Sequence, residues 1–357
     1  MRVKLIIASD STDSDNKVPV DNLLQKLHKN WEHYQLAVTA EDNKNSTAAK
    51  KPLKVIVCVS GGSDSVALLH LLQRQRTLLN LEPHLLHFNH QLRPEADHEQ
   101  DFVQALADQY EIPFHHKTAK HLKSGQSALQ ESARDWRIEE SCRLLKHLGG
   151  GRIATGHQAD DQLETLLLKL LRGTHISNLQ GMQWTNEDFI RPLLNCRKTE
   201  LQEYLKSNQL TWLEDTSNQS TAYLRNRVRL ELIPLLEELT RQGLHSRIND
   251  LSEQSRLLRE FLDSDYKSWQ QNHKNSAANS QDVLPVKILQ QANDLLQQEI
   301  LHNFITARTG QALSFRKLQN IIIQLRTGSN LWEMHLSQKW KICKSGEELC
   351  LQQNQQP

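Results

Sequence analysis

The stretch KVIVCVSGGSDSVALLHLL, Lys54 to Leu72, joins a continuous apolar run to a helix through two glycines, three serines and an aspartate. Val55 to Val59 form a mostly β-branched run, the composition of a strand covered on both faces. After Ser65, the apolar residues Val66, Leu68, Leu69 and Leu72 fall at helical spacing. Ser60-Gly61-Gly62-Ser63-Asp64-Ser65 is then a tight strand-to-helix turn. Its glycines let backbone N–H groups approach a ligand, and the helix start adds partial positive charge, so the turn suits phosphate. No Gly-Lys-Ser/Thr follows, which excludes a Walker A loop, and G-x-G-x-x-G is not matched either. The plainer alternative is a structural turn in which Ser63 or Asp64 caps the helix. A carboxylate beside phosphates repels them unless a cation intervenes, so Asp64 points to Mg²⁺ bridging to a nucleotide.

The rest of the 357 residues frames that loop as part of a large globular enzyme. Forty-three basic and 42 acidic residues leave a net charge of +1, so any nucleic-acid contact needs local basic patches. The five cysteines, Cys58, Cys142, Cys196, Cys343 and Cys350, contain no C-x-x-C pair, which argues against a disulfide framework or a zinc site. No apolar run is long enough to span a bilayer. MRVKLIIASDSTDSD lacks a cleavage pattern, so the expected location is cytoplasmic.

Strands near 54–59, 84–88, 113–118 and 152–156 alternate with helices near 65–79, 95–109, 126–148 and 159–172. A strand near 188–194 and a helix near 198–208 follow. This order predicts an α/β fold, a doubly wound, Rossmann-like parallel sheet with ligands at the carboxyl ends of its strands. The expected divisions are an N-terminal extension with one helix (1–50), the nucleotide domain (51–220), a helical linker (221–274) and a small α+β domain (284–357). The last contains helices near 287–308 and 315–326 and a few short strands.

Further candidates cluster at strand ends. In HFNHQLRPEADHEQ, Pro94 and the acids suit a helix start, but Asn89, His90 and Arg93 at the strand exit are left without a structural reason. In ATGHQADDQLETLLLKLLRG, Gly156 and His157 precede Asp160, Asp161 and Glu164. Asp160 and Glu164 share a helix face, with Asp161 rotated away. Capping accounts for one aspartate; the remaining acids and the histidine favour binding a cation or a substrate amine.

Together these segments resemble a known family. SGGSDS is similar to the PP-loop of the N-type ATP pyrophosphatases. With ESARDWRIE, RPLL and WLEDTSNQSTAYLRNRVRLELIPLL, the stretch from Val55 to Leu236 resembles the tRNA(Ile)-lysidine synthetases. The likeness continues more loosely through LPVKILQQ and GQALSFRKLQNII, similar to that family's small substrate-binding domain. Longer members carry an additional C-terminal domain, so full-length tRNA contact is expected to differ. Ser132 and Ile138 stand where the family usually has Ala and Tyr.

The resemblance implies that ATP activates the carbon-2 oxygen of the wobble cytidine in the CAU anticodon of tRNA(Ile). Free L-lysine then displaces AMP to form lysidine. It implies ATP and Mg²⁺ as cofactors, with Ser60 to Ser65 on the pyrophosphate and Phe88, Asn89, Gly156 and His157 near the nucleotide. Asp64, Asp160, Asp161 and Arg134 are the catalytic candidates, and Asp64 is the metal ligand. His90, Arg93, Arg137, Asp160, Glu164, Arg191, Arg225 and Arg229 are the substrate-binding candidates. Arg134 and Arg137 offset phosphate charge, hold RNA, or simply line an exposed helix. Arg225 and Arg229 share a face and suit tRNA phosphates, a solvated basic helix, or bracing against the acids around Glu214 and Asp215. Trp212 stacks on a base or packs in the core. The direction of Arg191 and the oligomeric state stay open, a homodimer among the options. A 2-thiocytidine-type enzyme would need C-x-x-C cysteines, and a non-catalytic nucleotide- or RNA-binding protein would not need Asp64 and the paired acids.

Overall fold

Val55, Ile56 and Val57 have no exposed surface, because the strand they form is covered on both faces. A computed structural model describes residues 4–6, 20–38, 51–91, 96–119, 129–174, 176–214, 224–240, 243–273, 283–311 and 313–354. In chain order the first elements are β1 (Lys4–Ile6), α1 (Val20–His33), β2 (Leu53–Cys58), α2 (Ser63–Arg74), β3 (Leu81–Asn89), α3 (Ala96–Gln109), β4 (Phe114–Thr118), α4 (Leu129–His147), β5 (Arg152–Ala154) and α5 (Ala159–Arg172). There follow β6 (Thr185–Asn186), β7 (Phe189–Ile190), α6 (Lys198–Ser207), β8 (Trp212–Glu214), α7 (Leu224–Arg227), a π-helical turn (Val228–Leu232), α8 (Ile233–Thr240) and α9 (Leu244–Asn272).

These elements build a six-stranded sheet of order β4-β3-β2-β5-β7-β6, parallel except for the β6–β7 pair. The chain moves outward from β2 to β4, then returns through α4 to β5 on the other side of β2. The gap between β2 and β5 is therefore the topological switch point, where ligands of such sheets bind. Alternation along β2 sorts its side chains. Val55, Val57 and Val59 join α1, α2, α3 and α6 in the larger core, while Ile56 packs with Leu86, Ile153 and Leu144 and Leu145 of α4. In α2, Leu68, Leu69, Leu71 and Leu72 are fully buried, each worth about 1.5–3 kcal/mol of transfer free energy. Pro83 is tolerated in β3 because β4 joins only from Leu85 onward.

Two compact units divide the chain: Met1–Thr165 with Gly181–His245, and Leu166–Gln180 with Ser246–Pro357. The division differs from the boundaries read from sequence. Leu23, Leu27 and Trp31 of α1 belong to the sheet's core, and β1 pairs antiparallel with β8, so described parts of the extension are part of the first unit. The expected linker is shared, split at His245.

The second unit contains β9 (Val283–Pro285), α10 (Val286–Gln291), α11 (Asp294–Thr309), α12 (Phe315–Thr327), β10 (Leu331–His335), β11 (Trp340–Ser345) and β12 (Glu348–Gln353). Its antiparallel sheet runs β10-β11-β12-β9. The single helix expected near 287–308 is two, because the Asn293 side chain accepts the Leu296 N–H at 2.9 Å and caps a new helix. Cys343 and Cys350 face each other across β11 and β12 as free thiols. Among the described residues no helix is long and apolar enough to cross a membrane.

Candidate active site

Where β2 ends, the chain makes its turn with internal ties. The Ser65 hydroxyl donates to the Gly62 carbonyl at 2.9 Å and accepts the Ser60 N–H at 3.2 Å. Ser63 and Ser65 are buried, whereas Ser60 is exposed. Gly61 has φ +93°, and a Cβ there would lie 2.9 Å from Leu213 Cδ1, so only glycine fits. The Leu213 N–H donates to the Gly61 carbonyl at 2.9 Å, joining β8 to the loop. A Cβ on Gly156 would press within 3.1 Å of the Asp64–Ser65 peptide, so Gly156 shapes the loop through its backbone.

Asp64 opens α2, where its side chain accepts the Ser63 hydroxyl at 3.0 Å. Burial pushes its pKa up; Lys198 opposes this, and Asp161 and Asp160 add to it. Asp64 is thus a carboxylate whose charge the protein makes costly, as expected where a cation is to be received. Among the described residues no three His, Cys, Asp or Glu groups are placed to hold a metal by themselves. An oxygen donor supplying one ligand, the remainder coming from phosphate and water, fits Mg²⁺.

The acids of α5 divide differently from their helical spacing. Asp161 Oδ2 accepts the Gln158 N–H at 3.1 Å, and the Gln158 side chain accepts the Asp160 N–H at 2.6 Å, a reciprocal cap. The other oxygen of Asp161 faces Arg229 at 3.5 Å and Arg225 at 3.7 Å. Glu164, with no exposed side-chain surface, takes Arg225 Nε at 2.8 Å on one oxygen and Arg229 Nε on the other. Asp160 turns elsewhere: Oδ2 accepts the Lys198 N–H at 2.8 Å and Oδ1 lies 3.3 Å from His245 Nε2. So Asp161 and Glu164 form the working pair, not Asp160 and Glu164. Glu164 as a ligand for a substrate amine needs correction, since both its oxygens are already taken by guanidinium groups. The expected bracing of these arginines near Glu214 is replaced by Glu164 and Asp161.

His157 accepts from or donates to Thr155 Oγ1 at 2.9 Å. Burial first, and then the charges of Arg191, Arg225, Arg137 and Arg134, together lower its pKa to about 4. It is neutral at ordinary pH. Arg191, left open by the sequence, is held by the Gln183 carbonyl at 2.8 Å and contributes to this cationic surround. Burial and Arg134 lower the pKa of both Arg137 and Arg191, as expected of guanidinium groups held near one another.

At the end of β3 the structure revises one expectation. Asn89 is 3% exposed; its amide donates to Asp97 at 3.1 Å and Gln100 at 3.2 Å, and its carbonyl accepts the Gln91 N–H at 3.0 Å. Both amide protons tie β3 to α3 and the carbonyl holds the strand exit, so the side chain is spent on structure at the strand end. Phe88 and His90, on the opposite face, each stand against Trp136 of α4 with ring centroids 5.4 Å apart. Arg93 lies outside the described residues, and Trp212 packs in the core at 2% exposure. Sequence reasoning missed Gln158, Trp136, Lys198 and His245. The rule that ligands sit at strand carboxyl ends would have nominated Lys198, the first residue of the helix after β7.

Comparison with known proteins agrees with this geometry. A family profile described as a PP-loop domain matches residues 33–236. The chain is 31% identical over 313 residues to a protein of Enterococcus faecalis named tRNA(Ile)-lysidine synthase, covering 84% of this chain and 66% of the relative. A protein of Chlorobaculum tepidum with the same name is 35% identical over 213 residues, covering 58% of this chain and 64% of its own. The chain thus spans at most 66% of the length of these relatives. Among solved structures, the U34-tRNA thiolase NcsA from Methanococcus maripaludis, with its 4Fe-4S cluster, superposes at a TM-score of 0.50 and 15% identity, covering 67% of this chain and 80% of that one. That likeness is one of fold alone. Because the profile's match takes in more than half of the 357 residues and encloses the Ser60–Ser65 turn, the chain belongs to the PP-loop family.

Proposed function

We propose that this protein uses ATP to join lysine to carbon 2 of the wobble cytidine in a CAU-anticodon tRNA(Ile), forming lysidine in the cytoplasm. One observation carries the reading: at the switch point the phosphate-type turn places Asp64 beside Asp160, Asp161 and Lys198, with a guanidinium surround about His157 next to it. Polyphosphate and RNA suit the turn and the guanidinium groups, and an amine suits the acids beside Asp64. The printed names of the relatives support the same assignment.

In the first step, cytidine O2 attacks the α-phosphorus of ATP, the bond to the bridging oxygen breaks, and pyrophosphate leaves with the electron pair. The backbone N–H groups of Gly61 to Ser65 hold the phosphates, and Asp64 would hold Mg²⁺, which supplies Lewis acidity when bound. Arg134, Arg137 and Arg191 offset negative charge on the nucleotide or the anticodon backbone. Neutral His157 serves as a hydrogen-bonding wall rather than a base, because its pKa is near 4. In the second step, the lysine side-chain amine, once deprotonated, attacks carbon 2 and AMP departs with its oxygen. Asp160, whose Oδ1 faces His245 at 3.3 Å, remains the amine-side candidate, while Asp161, like Glu164, is engaged by Arg225 and Arg229. Glu164 acts by holding Arg225 and Arg229 in place.

The test is AMP and pyrophosphate formation with a CAU-anticodon tRNA(Ile) transcript, with and without lysine, followed by mass analysis of the wobble nucleoside. The expected result is tRNA-dependent ATP cleavage and a lysine adduct. No adduct, or a sulfur-containing product, would sink the assignment. A thiolation mechanism also makes an opposite forecast for cysteine. Burial raises the pKa of Cys58 to about 11 and of Cys196 to about 12, so both are inert thiols. Replacing all five cysteines by Ala or Ser is expected to leave turnover of the folded enzyme within about twofold. Any loss is expected in the melting temperature, through the packing of Cys58 and Cys196.

A further inference from the structure

Helices α2 and α6 follow parallel strands of one sheet, β2 and β7, and pack in the same core, so they run in the same direction. Their register is fixed by the hydrogen bond between Tyr204 Oη and His70 Nδ1, 2.8 Å. His70 lies six residues after Asp64 and Tyr204 six residues after Lys198. At 1.5 Å per residue, both steps are roughly 9 Å, which brings Lys198 level with Asp64. The backbone of Lys198 is pinned there by Asp160, which accepts its N–H at 2.8 Å.

The side chain is not used in the same way. Arg197 pairs with Glu237 at 2.9 Å, and Lys26 with Glu200 at 3.1 Å, whereas Lys198 forms no ion pair among the described residues and is exposed. A helix start already presents unpaired N–H groups and partial positive charge. Here the starts of α2 and α6 lie level, and the exposed Lys198 ammonium is close enough to act on the charge of Asp64.

From this arrangement we propose that Lys198 is a catalytic residue of the PP-loop site, binding the β- and γ-phosphates and stabilising the pyrophosphate that leaves when the α–β bond of ATP breaks. Charge on the departing bridging oxygen grows as that bond lengthens, and a compact ammonium suits a spherical, multiply charged oxygen cluster. In the free protein the same ammonium offsets the desolvated Asp64 carboxylate. Once phosphates enter, Asp64 faces a cation and Lys198 faces the anion.

The inference rests on the ATP chemistry proposed above, and its test is separable from it. Binding of inorganic pyrophosphate, ATP and AMP to the full chain is measured by calorimetry in magnesium buffer, without tRNA, for wild type, Lys198→Met and Lys198→Arg. Lys198→Met is expected to weaken pyrophosphate and ATP about 10- to 100-fold and to leave AMP within about twofold. Lys198→Arg is expected to restore part of the loss, and melting temperatures should agree within a few degrees. Unchanged pyrophosphate affinity, equal weakening of AMP and pyrophosphate, or wild-type protein that binds neither pyrophosphate nor ATP would overturn it. Selective pyrophosphate loss without any lysine adduct in the wild-type tRNA assay would reject the lysidine reaction and leave Lys198 assigned.

Discussion

Asp64→Asn is expected to fold at least as stably as the wild type and to lose about a thousandfold or more in ATP-dependent lysine incorporation. The side chain keeps its shape, and its carbonyl still accepts the Ser63 hydroxyl that now lies 3.0 Å away. What disappears is the charge. In the free protein that charge is a liability, since burial raises the Asp64 pKa and Asp161 and Asp160 raise it further, against Lys198 and the Ser63 hydrogen bond. A carboxyl whose folded pKa is raised binds its proton more tightly in the native state. Its contribution to stability therefore falls as pH rises above the ordinary aspartate value of about 3.9. The stability of Asp64→Asn relative to wild type is expected to grow over that range, read from urea unfolding at several pH values. A stabilised but inactive variant is the signature of a charge kept for function. Near-normal turnover would remove Asp64 from the catalytic residues.

The strand–helix alternation and the Ser60–Ser65 turn were legible because each rests on local patterns: a continuous apolar run, glycines, then helical spacing. The partition of the α5 acids was not. Helical spacing puts both Asp160 and Asp161 within reach of Glu164, at i,i+4 and i,i+3, so contacts decide roles, and those come from far along the chain. Arg225 and Arg229 meet Glu164 across 61 and 65 positions, and the Lys198 N–H reaches Asp160 across 38. No periodicity encodes such meetings. Asn89 failed for a subtler reason. Strand alternation alone puts it on the face opposite Phe88, toward α3, but its position at a strand exit made a ligand contact the more attractive reading. The break at Asn293 was readable, since Asn followed by Asp in the first turn is a helix start. The π-helical turn at Val228–Leu232 was not, because its one extra residue per turn leaves no clear mark in the apolar pattern.

Arg225 lies before the π-helical turn and Arg229 within it, and the two share Glu164. Burial works against the charge of Arg229, but the hydrogen bond and charge of Glu164, with help from Asp161, outweigh it and raise its pKa. Arg225 keeps 52% of its side-chain surface, Arg229 33% and Glu164 none. Removing both arginines thus strands a fully buried carboxylate. Arg225→Ala with Arg229→Ala is expected to cost about 3–5 kcal/mol in urea unfolding, with Arg229→Ala the larger single effect. Adding Glu164→Gln should recover most of the loss, because the stranded charge goes with it. The competing role, contact with tRNA phosphates, makes a different forecast. Each lost phosphate contact would lower the log–log salt slope of tRNA binding by about 0.7–0.9, and Glu164→Gln would not restore it. Recovery of stability by Glu164→Gln, with the salt slope of the folded triple variant equal to wild type, would assign the arginines to bracing. A reduced slope in that rescued variant would show that exposed Arg225 also reaches RNA, while a double variant as stable as wild type would end the bracing assignment.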